Sequence, residues 1–128
     1  MNKLSIVLLL LITSCLTNKD VARTNVQEIK FGNGGGFTGK LTTYSLAQNG
    51  VFEKDNIKIK TIKLKETLAL YEDAKNLKDY NFNDPENVYS FIEIKTKTKT
   101  NKIVWHTGSK NIDPKVINLY NNLFSEIN

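Results

Sequence analysis

The chain has 128 residues, 40% apolar and 24% charged, which is enough for one globular domain. Its net charge of +5 rests on lysine. Arginine, the residue suited to bidentate contacts with phosphates and bases, occurs once, at Arg23, so nucleic acid is not an expected partner. The only cysteine, Cys15, excludes an internal disulfide and leaves the fold to its core.

Residues 1–14 carry Lys3 and then an apolar run from Leu4 to Ile12 broken by Ser5. That run is far short of the roughly 20 residues of a spanning helix, and it reads as the apolar part of a secretory signal. The sequence Ile12-Thr13-Ser14-Cys15 that follows resembles the lipobox of bacterial lipoproteins. The resemblance implies cleavage before Cys15, acylation of its thiol and attachment to a membrane of the bacterial cell envelope. Several acyl chains make such an anchor durable, because each buried methylene adds about 0.8 kcal/mol. Cleavage there removes Lys3 as the one charge and leaves a net +4. Residues 15–25 are expected to be a tether, and 26–128 a single domain.

Within that domain, Val26 to Phe31 reads as a strand with Ile29 and Phe31 on one face. A glycine-rich stretch follows, and then LTTYSLAQ, rich in β-branched and aromatic residues. Asn49-Gly50 predicts a type I′ hairpin, leading to a return strand at Val51 to Lys54. The alternation of Ile57, Lys58, Ile59 and Lys60 predicts a further, half-buried strand. Leu64, Leu68, Leu70, Tyr71, Ala74 and Leu77 then recur at three-and-four spacing, which predicts an amphipathic helix over Lys65 to Lys78. Asn81 to Asn87, punctuated by Pro85, is a loop. VYSFIEIKTKTK alternates strictly, a turn is expected at Thr100-Asn101, and KIVWH returns as the paired strand. The last helix is marked by Asp113 as N-cap and Pro114 at the first helical position. Ile112 and Ile117 stand at the positions of a hydrophobic staple. Val116, Tyr120, Leu123 and Ile127 form the predicted buried stripe of that helix. The class is α+β: an antiparallel sheet of about five or six strands with two helices packed on one face.

The stretch GNGGGFTGKLT poses the functional question. Gly34 to Lys40 has the G-x-x-x-x-G-K spacing of a phosphate-binding loop. Such a loop needs Ser or Thr directly after the lysine and a helix N-terminus aimed at the phosphates. Here Leu41 follows Lys40 and the next segment favours strand, so no nucleotide is expected. Two readings of Gly34, Gly35, Gly36, Phe37, Thr38 and Gly39 remain. In one they form a wide turn that needs glycine for positive φ. In the other they form a contact loop with Phe37 as apolar anchor. Exposure of Phe37 separates the two.

Other chemistry is sparse. His106, the only histidine, has no second histidine or mature-domain cysteine at ligand spacing, so no metal is expected and a local hydrogen-bonding role is. Glu72-Asp73 falls on the exposed side of a predicted helix and Asp84-Pro85-Glu86 in a loop, and neither pair is selected for catalysis. Lys95, Lys97 and Lys99 alternate with threonine, which predicts one strand face that guards an edge or, alternatively, grips an anionic polymer. The expectation is a monomeric protein without catalytic residues or cofactor that works by binding. A structural accessory protein is the alternative, followed by an enzyme acting on envelope carbohydrate.

The element order and the motifs carry two resemblances. Phe31-Gly32-Asn33-Gly34-Gly35-Gly36-Phe37-Thr38-Gly39, the Asn49-Gly50 turn, Asn87-Val88-Tyr89 and Ile103-Val104-Trp105 resemble a group of uncharacterised bacterial lipoproteins over most of the mature chain. The glycine-glycine-phenylalanine loop after the first strand and the order of elements resemble emfourin, a small inhibitor of thermolysin-type metalloproteases. The second resemblance implies a protein-binding role and a metalloprotease as partner. The lipobox is a departure from it.

Overall fold

Six strands with alternating apolar side chains pair into one sheet: β1 (Val26–Gly35), β2 (Thr42–Ala47), β3 (Val51–Lys54), β4 (Ile57–Thr61), β5 (Val88–Thr96) and β6 (Thr100–Trp105). The computed structural model describes residues 16–128, so the segment expected to be a signal and Cys15 lie outside the described residues. The strand order is β4-β3-β2-β1-β5-β6 and every neighbouring pair is antiparallel. Among the described residues three helices complete the α+β fold: α1 (Asn18–Ala22), α2 (Leu64–Lys75) and α3 (Pro114–Ile127).

The alternation expected of β1 and β5 is present. Ile29, Phe31, Ile92 and Ile94 are buried on the helix-covered face, together with Leu46, Phe52, Ile103 and Trp105. Leu70, Tyr71 and Ala74 of α2 and Val116, Leu119 and Leu123 of α3 close over them. Phe31 is the centre of this core. Its ring stacks on Tyr44 with centroids 5.4 Å apart and meets Phe124 edge-on at 5.0 Å. Such pairs add about 0.5–1.5 kcal/mol each beyond area burial. Tyr71 is buried with its hydroxyl donating to Leu46 O at 2.7 Å. Burial, with Glu28 adding to it, pushes this phenol far above its ordinary pKa, so it stays a donor. At α3, Asp113 caps the helix by accepting from Lys115 N at 3.0 Å, and Pro114 occupies the first turn as expected.

Several local expectations are overturned. Residues 18–25, read as tether, belong to the domain: α1 forms there, and Val21 and Thr24 are fully buried. Thr24 Oγ1 donates to Val21 O at 2.7 Å and accepts from Val26 N, which joins α1 to β1. One buried residue in a five-residue helix is too little for periodicity to register. The amphipathic helix is present but spans Leu64–Lys75, with Lys78 beyond its end.

The hairpins also differ. Asn49 does not take positive φ; Gly50 alone does (φ 85), and the turn is closed by Gly50 N to Ala47 O at 3.0 Å. The pair with positive φ at both positions is Asp55 (φ 48) and Asn56 (φ 68), between β3 and β4. The β5–β6 turn lies at Lys97-Thr98 rather than Thr100-Asn101, because Thr96 bonds Lys99 through both its amide and its hydroxyl. Asn101 is thereby held in β6, where its amide donates to Leu77 O and Tyr80 O beyond α2. Lys95, Lys97 and Lys99 consequently do not share a strand face, and β5, flanked by β1 and β6, is not an edge. The edges are β4 and β6. Phe82 and Asp84 bond the β6 edge through Val104. The β4 edge is open and the strand is exposed throughout, contrary to the half-buried strand expected, because it is outermost and bulged opposite Phe52 and Glu53. Lys60 of β4 instead reaches the C-terminal end of α3, donating to Glu126 O where the helix dipole favours a cation.

Candidate functional site

The glycine stretch divides between two jobs. Gly34 and Gly35 are not loop residues but the last two of β1. On the face away from the helices, Gly32 lies opposite Phe91 of β5 and Gly34 opposite Tyr89. A Cβ on Gly34 would stand 2.7 Å from the Tyr89 hydroxyl and 3.1 Å from Leu41 Cδ1. Gly34 leaves the backbone bare so that Tyr89 can lie over it, whereas a Cβ on Gly32 would stand 1.9 Å from Thr42 O of β2 and 3.3 Å from the Phe91 ring. Phe91 is buried, with the Lys102 ammonium 4.8 Å above its ring.

Beyond β1 the chain projects. Gly35 (φ 85) and Gly36 (φ 82) turn it out of the sheet, and Gly36 N donates to Asn87 O at 2.8 Å. Gly39 N then donates to Gly36 O at 3.1 Å, closing a turn with Phe37 and Thr38 at its tip. Phe37 is completely exposed, at 110% relative accessibility. An exposed apolar side chain becomes informative where others stand beside it. Two further exposed apolar side chains adjoin the loop: Leu41 at its base and Val88 on the strand opposite Gly35. The β3–β4 turn lies at the same end of the sheet, since Asp55 N donates to Thr43 O, and it brings exposed Ile57 to that end. The exposed apolar side chains at this end accordingly number more than Phe37 alone. Leu41 and Val88 were missed because each is an isolated apolar residue at an element boundary, where no periodicity exists.

Soon after Lys40 the chain enters β2, at Thr42, and not a helix. The loop thus has the geometry of a strand connection, not of a phosphate cradle.

His106 stands just past β6 and contacts Asp84, with Nε2 3.3 Å from Oδ2. Ser109 Oγ donates to the same carboxylate oxygen at 2.9 Å and accepts from His106 N. The serine proton goes to the carboxylate and not to the imidazole, so the order of a nucleophile–base–orienter relay is not met. The cluster ties the loop before β5 to the loop after β6. Asp79, beside the β5–β6 turn, is held below the ordinary carboxylate range by a hydrogen bond from Lys99. On α2, burial raises the Asp73 carboxyl, with Glu72 adding repulsion.

Among the described residues no helix is long and apolar enough to cross a membrane. The chain matches no protein-family model and no curated protein.

Proposed function

We propose that the protein is a lipid-anchored component of a bacterial cell envelope that works by binding another protein through the loop ending β1, with Phe37 as anchor. The observation that carries this reading is the fully exposed Phe37 at the tip of a turn whose base is pinned to β5. Aromatic side chains that become desolvated in a partner's pocket supply a disproportionate share of binding energy. A rigid base also lowers the ordering cost of association. The contact residues are Gly36, Phe37, Thr38 and Gly39, with Leu41 and Val88 beside them. Gly34 and Gly35 position the loop from within β1.

A thermolysin-type metalloprotease is the partner class to assay, on the resemblance of the loop and element order to emfourin. The test uses residues 16–128, which contain every buried core side chain from Val21 to Leu123. The fragment should inhibit such a protease. Phe37→Ala should weaken inhibition by about 2 kcal/mol or more, while leaving the urea midpoint almost unchanged, because no core contact is lost. Full inhibition by Phe37→Ala would refute the anchor role. Failure of the intact fragment to inhibit would remove this partner class.

Anchoring is tested separately. Cys15→Ser removes the only acylable thiol, so the full chain should leave the membrane fraction or stall unprocessed. Unchanged processing with acyl label still on the protein would overturn the lipoprotein reading.

A further inference from the structure

We propose that the end of the domain opposite Phe37 is a docking surface for an anionic phospholipid bilayer, with Lys78 and Lys97 set against headgroup phosphates. The inference rests on the lipid-anchor reading for its motive, and on the fold for its geometry.

Covalent reach comes first. Cys15 and the first residue of α1, Asn18, are three residues apart, at most about 11 Å of extended chain. Because α1 is packed into the domain through Val21, a lipid on Cys15 would leave no free tether of useful length. The end bearing α1 must then lie close to the headgroup layer.

The fold fixes what else lies at that end. Val26, the first residue of β1, is the register partner of Thr96, the last of β5. The β5–β6 turn with Lys97 therefore sits beside the point where α1 joins the sheet. Lys78, Lys97 and Lys99 line one cleft there with Asn25. The acid in that cleft is Asp79, and it is engaged by Lys99. The cleft thus keeps an excess of positive charge, and α1 with its capping residue adds Lys19 and Arg23 against Asp20. Lysine ammonium groups near an anionic bilayer each contribute to binding, and the attraction decays within a Debye length. Only groups held at this end would feel it.

The consequence is orientation. β1 runs ten residues from the α1 end to the loop, which at about 3.3 Å per residue places Phe37 roughly 30 Å from the α1 end. Anchor and lysines at one end would hold the loop facing away from the membrane, where a partner could reach it.

The test uses the 16–128 fragment, which lacks Cys15, so its outcome is independent of acylation. It should co-sediment with vesicles of equal parts phosphatidylglycerol and phosphatidylcholine, not with phosphatidylcholine alone, and should be released by roughly 0.5 M NaCl. Lys78→Gln with Lys97→Gln should lower partitioning about fivefold per lysine. Lys58→Gln with Lys102→Gln, the same charge change elsewhere on the sheet, should leave it near the parent value. Equal loss in both pairs, or no binding to the anionic vesicles at low salt, would overturn the proposal. Binding to soluble polyphosphate without binding to vesicles would assign these lysines to a polymer and would overturn it too. Loss of the anchor itself would appear only in the Cys15→Ser fractionation.

Discussion

Phe31→Ala should destabilise the domain by about 3–5 kcal/mol, the range for removing a buried phenyl ring and leaving a cavity. The ring is fully buried on the central strand, between β2 and β5, and meets four aromatic side chains from three elements: Tyr44 of β2, Phe52 of β3, and Tyr120 and Phe124 of α3. Collapse of the cavity is resisted from both sides. Below lies the sheet backbone, and above lies α3, whose Tyr120 is itself tied to Gly32 O by a 3.1 Å hydrogen bond. For a domain of this size such a loss is a large part of the total stability, which is typically 5–15 kcal/mol. A urea titration should show a much lower midpoint with an unchanged slope, since the surface exposed on unfolding stays the same. A loss below about 1 kcal/mol would mean that the ring is not the keystone of the core. The contrast with Phe37→Ala is the informative part: two phenylalanines six residues apart, one central to stability and one dispensable to it.

That contrast was only partly legible in the sequence. Alternation over Val88 to Lys95 and the Asp113-Pro114 start of α3 gave their elements correctly, because each combines a long pattern with an independent boundary signal. Exposure of Phe37 could not be read, since a lone aromatic residue among glycines has no period that assigns it to a face. Pairing was the other hidden quantity. Alternation in Ile57-Lys58-Ile59-Lys60 identifies a strand, yet it cannot say that the strand will be outermost and left uncovered by helices. The lysines after Ile94 show the same limit. Their spacing suggested a shared face, but Thr96 hydroxyl bonding put the turn at Lys97-Thr98 and broke the alternation. The need for Gly32 and Gly34 was invisible for a related reason. At Gly34 it comes from Tyr89, more than fifty residues further along the chain, and at Gly32 from the Thr42 carbonyl of β2, 1.9 Å from an added Cβ, both through a register that no local pattern specifies.

The glycines also divide the site into a part that holds and a part that touches, and substitution should separate the two. Gly35→Ala should cost about 3 kcal/mol. A left-handed backbone at φ 85 accounts for roughly 1–2 kcal/mol of this in a residue with a Cβ. The rest comes from overlap, because the new carbon would stand 1.8 Å from Asn87 O, and that atom is backbone. Relief requires β1 and β5 to part where Gly36 N bonds Asn87 O, at a cost like that of overpacking, about 1–3 kcal/mol. Gly39→Ala should cost only about 1 kcal/mol, since its φ is 62 but nothing lies within 4 Å of the added carbon. Urea midpoints of the two variants measure the difference. Binding gives the second readout. Gly35→Ala should weaken any Phe37-dependent association even below its melting range, because the base of the turn has lost its fixed angle. Equal stability of the two variants would show that the β1–β5 junction yields freely. A Phe37 on such a yielding base would lose the pre-organisation on which its proposed role as an anchor depends.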